Sequence, residues 1–338
     1  MLRSLLTFCA GGLVVAGLFI AMRLSDTPPP SQFASDAAVR AAAEYREQLL
    51  PHALTFASGD IPAMRAVLDE HLYRPRIDEA RQLYPVKEAT LKIDGVYTET
   101  FEPASGVAPS NTGRVLINLH GGGFAMGART EGRLESIPVA SIAGMRVVSV
   151  DYRQGPEHRF PAASEDVATV YRHLLEQHTP EHIGIFGCSA GGLLTAQAVA
   201  WFDAHDLPQP GAVGIFCSGA TDFDGGDARV IVKAFGELDA GGDMAYFDGA
   251  DWNDPLVAPL ADPGLLARFP PTLIITSTRD MAMSPALATH QRLIGAGAHS
   301  ELHVYEGLMH YFFMNTDLPE SRHAFRVMAD FFDEHLAP

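Results

Sequence analysis

Lysine is almost missing from this 338-residue chain: Lys87, Lys92 and Lys233 are the only ones, and none follows a glycine. No P-loop can therefore supply its phosphate-binding lysine, and the G-x-G-x-x-G fingerprint of a dinucleotide site does not occur either. Positive charge is scarce altogether, with 24 Lys plus Arg against 41 Asp plus Glu and a formal net charge of −17. A surface that negative repels phosphate backbones, which argues against nucleic acid as a partner. The three cysteines, Cys9, Cys188 and Cys217, are too few for a disulfide framework, and none forms a C-x-x-C pair. H-E-x-x-H is absent as well. Nothing in the chain calls for a metal or an organic cofactor.

What is present is apolar bulk. With 47% hydrophobic and only 19% charged residues, the chain can bury enough surface to offset its conformational entropy, so a globular fold is expected. Length alone suggests about two domains. From Leu5 to Met22 no charge occurs, and Arg3 and Arg23 flank the run. At 1.5 Å per helical residue such a stretch reaches about 27 Å, close to a bilayer's hydrocarbon thickness. It is longer than a usual signal-peptide core and Ala21-Met22-Arg23 offers no clean cleavage site, so residues 5–22 read first as an uncleaved membrane anchor and second as an export signal. One arginine on each side leaves the orientation open. Leu5-Leu6-Thr7-Phe8-Cys9 is rejected as a lipidation signal, because most of the apolar run follows the cysteine.

After the Pro-rich linker Pro28 to Ser35, Val39, Ala42, Ala43, Leu49 and Leu50 space an amphipathic helix from Asp36. A second helix is expected over Ile61 to Tyr73, ended by Pro75. Thr90 to Phe101 alternates as one strand. Strands then follow at Arg114–Leu119, Arg146–Asp151, Ile183–Phe186, Ala212–Cys217, Thr272–Ser277 and Glu301–Tyr305, with helices expected at Ala163–Gln177, Ala190–Ala204, Ser284–Ile294 and Glu320–His335. That alternation implies a mostly parallel sheet covered by helices on both faces, an α/β fold. Between Gly219 and Pro271 it stops, which marks an insertion.

Gly187-Cys188-Ser189-Ala190-Gly191 joins a strand to a helix, the context of a nucleophile elbow. The turn forces the serine into a strained conformation, and the glycines two residues to either side let neighbouring chain pass close by. Cys188 as nucleophile would put Phe186 and Ala190 where the elbow needs glycines. A serine hydroxyl needs a base to take its proton. In such folds the acid and the histidine follow the serine in that order, on loops after late strands. Asp280, just past Ser277, and His310, in Gly307-Leu308-Met309-His310-Tyr311-Phe312, meet that requirement. Asp280 could alternatively cap the helix at Ser284. His120-Gly121-Gly122-Gly123 ends another strand and offers backbone donors for an oxyanion from Gly122 and Gly123, with Ala190 as the third.

Together with Phe124, Asp151-Tyr152-Arg153-Gln154-Gly155-Pro156-Glu157-His158-Arg159-Phe160-Pro161-Ala162-Ala163, Gly192 and the Asp280 and His310 loops, these motifs resemble the hormone-sensitive-lipase-like branch of the α/β-hydrolases over about residues 90 to 335. The resemblance implies an α/β-hydrolase fold with a helical lid and a carboxylesterase acting on short to medium acyl esters, acetyl esters or lactones. With the apolar run read above, the chain divides into 1–25 as anchor or signal segment, 26–89 as linker and N-terminal lid helices, and 90–338 as catalytic domain with a lid insertion near 219–265, the lid and the catalytic domain being what the resemblance implies. The family often carries Asp before the nucleophile, where this chain has Cys188. The Asp151–Ala163 stretch reads as scaffold.

The expected function is a serine ester hydrolase with Ser189 as nucleophile, His310 as base and Asp280 as its orienting acid. An amidase or peptidase would use the same residues, and a ligand-binding protein that has lost turnover is the other alternative. The partner is a small-molecule ester, and the late helices or an edge strand could pair with a second copy. Residues 5–22 imply a membrane-anchored or exported protein.

Overall fold

Eight strands form one sheet in a computed structural model that describes residues 30–223, 225–234 and 244–338. They are β1 (Val86–Ile93), β2 (Val96–Pro103), β3 (Val115–Leu119), β4 (Arg146–Asp151), β5 (Ile183–Cys188), β6 (Ala212–Phe216), β7 (Thr272–Arg279) and β8 (Ser300–Met309), in the spatial order β1-β2-β4-β3-β5-β6-β7-β8. β2 pairs antiparallel with both β1 and β4, and every pairing from β4 to β8 is parallel. β3, β5 and β6 are buried at every position, as a parallel sheet covered on both faces requires.

Because side chains alternate across a strand, the same strands feed two cores. Ile117 and Ile185 join the face covered by α6 (Ala162–Leu175), α7 (Ala190–Ala204) and α10 (Met283–Gly295). Leu116, Phe186 and Cys188 join the opposite face, beneath α5 (Glu131–Ala143) and α11 (Pro319–His335). The N-terminal helices α1 (Asp36–Leu49), α2 (Ala53–Ser58), α3 (Ile61–Val67) and α4 (Arg74–Leu83), with the turn between α3 and α4, form a helical segment that adds Ala38, Leu49, Leu68, Leu72, Tyr73 and Ile77 to this second core. The interval from Gly219 to Pro271 holds only short pieces among its described residues, including α8 (Asp227–Ala234) and α9 (Pro263–Leu266).

Several sequence expectations need correction. Thr90 to Phe101 is not one strand but parts of both arms of the β1–β2 hairpin. Asp94 and Gly95 both take positive φ, 45° and 97°, and make the two-residue turn that matches strand twist. Pro75 does not end the second helix. A π-helical turn over Leu68–Tyr73 links α3 to α4, and Pro75 falls in the first turn of α4, where its missing N–H breaks no helical bond. α5 was not anticipated; it tolerates an internal Pro138 and stops at Gly144, whose φ of 66° suits glycine. β5 runs on to Cys188 and β8 to Met309, so the segments expected to be loops before Ser189 and His310 are strand. The apolar run Leu5 to Met22 lies outside the described residues, and among those described no helix is long and apolar enough to cross a membrane.

Candidate active site

The elbow between β5 and α7 gives Ser189 a backbone of φ 55° and ψ −121°, a region that L-residues avoid at a cost of about 1–3 kcal/mol. Tertiary contacts hold it there: the Ser189 N–H donates to the Phe216 carbonyl at 2.8 Å, and the N–H groups of Gly192 and Leu193 donate to the Ser189 carbonyl. Neither flanking glycine can be anything larger. A Cβ on Gly187 or Gly191 would be driven into the Leu119 carbonyl oxygen at the end of β3.

β7 and β8 deliver the other two polar residues to the same point. His310 Nε2 lies 2.9 Å from Ser189 Oγ, and His310 Nδ1 lies 2.6 Å from Asp280 Oδ1. Asp280 is fully buried. Its Oδ1 also accepts the Ala282 N–H at 2.8 Å and its Oδ2 the Thr276 hydroxyl at 2.9 Å, so both oxygens have fixed partners. Asp280 does not cap α10: the N-cap is Ala282, with no side-chain cap bond, and the Asp280 carboxylate closes the turn before it while the same oxygen holds the imidazole.

The glycine loop after β3 adjoins the elbow. Gly191 packs against the Leu119 and His120 carbonyls, and a Cβ on Gly121 would meet the Cys188 carbonyl at 3.0 Å. Gly122 and Gly123 have φ of 90° and 62°, and the space a Gly123 side chain would fill is open. His120 is buried with its ring stacked on Tyr152 at 4.3 Å, while the Tyr152 hydroxyl donates to the His120 carbonyl at 2.7 Å. Burial pushes its pKa down, which keeps the ring neutral at physiological pH.

The chain and its fold have counterparts among known proteins. A family profile for the alpha/beta hydrolase fold matches residues 116–314. An acetyl-hydrolase of Streptomyces hygroscopicus is 33% identical over 228 residues, covering 65% of this chain and 75% of that one. The esterase LipU of Mycobacterium tuberculosis is 32% identical, covering 68% and 82%. The crystal structure of esterase E25 superposes with a TM-score of 0.76 at 31% identity over 92% of this chain and 97% of that one, and an esterase of the bacterial hormone-sensitive lipase family does so at 0.69 and 25% over 78% and 99%. The chain belongs to the hormone-sensitive-lipase-like α/β hydrolases. It is a carboxylesterase/lipase-type enzyme that hydrolyses carboxylic esters.

In this hydrolase Cys188 is fully buried at the end of β5, and burial pushes its thiol well above the usual range, the opposite of what a nucleophilic thiolate needs. The Asp151–Ala163 stretch braces itself against its surroundings. Arg153 bonds Asp166, Glu165 and the Ala162 carbonyl, and Arg129 bonds Asp151 at 3.0 Å. Part of the late insertion packs on the residue that follows the glycines, with Tyr246 stacked on Phe124 at 4.9 Å and Phe247 edge-on at 4.9 Å.

Two neighbours of this candidate site escaped the sequence reading. Thr276 sits on β7 four residues before Asp280, a hydroxyl in a strand with no motif to mark it. Glu131 opens α5 as a buried carboxyl whose Oε2 accepts the Tyr73 hydroxyl at 3.0 Å and which lies against Gly121, Gly122 and Gly127. Burial raises its pKa to about 7, against the opposing effects of the Tyr73 bond and His310. Its signal in the sequence, an acidic residue in a first helical turn, is read on an exposed helix as a dipole partner.

Proposed function

We propose that this hydrolase cleaves short to medium acyl esters, acetyl esters or lactones through Ser189, His310 and Asp280. The observation that carries the reading is the relay of 2.9 and 2.6 Å from Ser189 Oγ through the imidazole to a fully buried carboxylate. Ser189 Oγ attacks the carbonyl carbon as its proton passes to His310 Nε2, and the carbonyl π electrons move to oxygen. The N–H groups of Gly122, Gly123 and Ala190 hold that oxyanion, and Asp280 stabilises the imidazolium. Collapse expels the alcohol, which takes the proton from His310 and leaves an acyl-Ser189 ester. Water then attacks that ester as His310 takes its proton, and collapse of the second oxyanion breaks the bond to Ser189 Oγ, which recovers the proton from His310 as the carboxylic acid leaves.

The small-acyl preference is supported by relatives described as an acetyl-hydrolase and, in Pseudomonas putida, an ethyl acetate hydrolase that is 27% identical to this chain. The division into residues 26–89 and the insertion near 219–265 as lid, with the remainder from 90 to 338 as catalytic unit, belongs to the same proposal. The formal charge of −17 should favour neutral over anionic esters. A panel of p-nitrophenyl esters of increasing chain length, aryl acetates, lactones and one anilide, run beside Ser189→Ala, tests the reading. Turnover of the short esters that falls by at least about a thousandfold in a folded Ser189→Ala variant is expected. Undiminished turnover in that variant would sink the mechanism, and faster cleavage of the anilide would make the enzyme an amidase.

A further inference from the structure

Three side chains of the N-terminal helical segment, spaced four residues apart, reach one stretch of the catalytic unit. Arg65 on α3 donates from Nε to the Ala125 carbonyl at 2.6 Å, from Nη2 to the Gly155 carbonyl at 2.9 Å, and from both Nη atoms to Glu157. Asp69 accepts the Thr130 hydroxyl at 2.7 Å. Tyr73 donates to Glu131 at 3.0 Å. Of the partners of this strap, Ala125, Thr130 and Glu131 lie on the segment that runs from Gly121, Gly122 and Gly123 into the start of α5, whereas Gly155 and Glu157 follow β4.

Inside that loop the N–H groups of Ala125 and Met126 donate to the Gly122 carbonyl at 3.0 and 2.9 Å. The Gly122 carbonyl and the Gly123 N–H belong to one planar peptide, so holding the first fixes the direction of the second. Arg65 holds Ala125 by its other face, and Glu131 fills the space behind Gly121 and Gly122. Gly122 and Gly123 have no side chains of their own and take positive φ, so the direction of this peptide depends on these backbone bonds and on the groups that hold Ala125 and Glu131 in place.

We propose that Arg65, Asp69 and Tyr73 are positioning residues that set the direction of the Gly123 N–H through Ala125, Thr130 and Glu131. The N-terminal lid thereby completes the oxyanion site as well as covering it. This rests on the reading of Gly122, Gly123 and Ala190 as oxyanion donors. Were the contacts merely structural, the exposed Arg65–Glu157 pair would add little to stability and its loss would leave catalysis alone.

Full-length Arg65→Gln, Asp69→Ala and Tyr73→Phe test the proposal, with Arg81→Gln as control. Arg81 is an α4 residue whose side-chain hydrogen bonds go to Glu88 and Asp78, and none goes to the loop. The readouts are kcat and KM for p-nitrophenyl acetate, the inhibition constant of a trifluoromethyl ketone, which forms a tetrahedral oxyanion on the serine, and the melting temperature. Arg65→Gln and Tyr73→Phe should each lower kcat about tenfold or more with KM within about threefold, and should weaken the ketone by the same factor, a fraction of the loss from removing a whole donor. Arg81→Gln should match wild type. A change in KM with kcat and ketone affinity intact would overturn the proposal, and so would an equal kcat loss in Arg81→Gln. If Arg65→Gln does not fold, Tyr73→Phe, which deletes one hydroxyl, decides by itself. Ester turnover that survives Ser189→Ala would remove the underlying reading instead, a result distinct from strap variants that leave a Ser189-dependent kcat untouched.

Discussion

Replacing Asp280 by Asn isolates the charge of the acid from its geometry. Asp280 Oδ1 accepts two hydrogen bonds, from Ala282 N–H at 2.8 Å and from His310 Nδ1 at 2.6 Å, whereas Oδ2 accepts only the Thr276 hydroxyl. An asparagine would keep its carbonyl oxygen on the two N–H donors and turn its amide toward Thr276 Oγ1, which can accept as readily as it donates. The imidazole therefore keeps its tautomer, with the proton on Nδ1, and what disappears is the negative charge facing the imidazolium. At about 4 Å and an effective dielectric of about 20 that attraction amounts to about 4 kcal/mol, or about a thousandfold in kcat. Asp280→Asn should thus lower kcat for p-nitrophenyl acetate about a thousandfold with little change in KM. Asp280→Ala should also destabilise the fold, because it strands the Ala282 N–H and the Thr276 hydroxyl in the interior. Steady-state kinetics with a melting curve for each variant make the test. A loss of less than tenfold in Asp280→Asn would refute the assignment of a charge-stabilising role to this carboxylate.

Other expectations follow from the same coordinates. Gly191→Ala drives its methyl into the Leu119 carbonyl, and at about 3 kcal/mol or more it should lower the melting temperature by several degrees and abolish turnover, checked by calorimetry. Gly123→Ala meets open space but adopts a φ of 62°, so its stability cost should stay near 1–2 kcal/mol in chemical denaturation. Glu131 bears on pH dependence. Its pKa is raised from 4.5 to about 7, so the folded protein retains a proton that the unfolded chain releases, and stability falls as pH rises through that interval. The full effect, about 3 kcal/mol, is in place above about pH 7, and Glu131→Gln should remove it. Melting curves between pH 5 and pH 8 should fall more steeply for wild type than for Glu131→Gln, and parallel curves would contradict the assignment.

Much of the candidate site was legible because the proposed chemistry demands particular residue types at particular spacings. Gly187, Ser189 and Gly191 could be read because backbone crowding at the elbow excludes larger residues, and Asp280 and His310 because they end late strands. The features that were missed depend on contacts remote in sequence. Arg65 reaches Ala125 and Glu157, and Tyr73 reaches Glu131, across separations that no local period encodes. The hairpin was overlooked because apolar alternation continues across Asp94-Gly95, although that pair is a turn signal in its own right. Pro75 was read as a stop because the rule for helix interiors was applied to what is the first turn of a new helix.

The central claim is that Ser189 is the nucleophile. Incubation of the protein with a fluorophosphonate, followed by intact-mass measurement and peptide mapping, tests it most directly. The account predicts one adduct per chain, on Ser189, forming in step with the loss of esterase activity, and none on Ser189→Ala. An adduct on another residue, or full activity after Ser189 is modified, would contradict it.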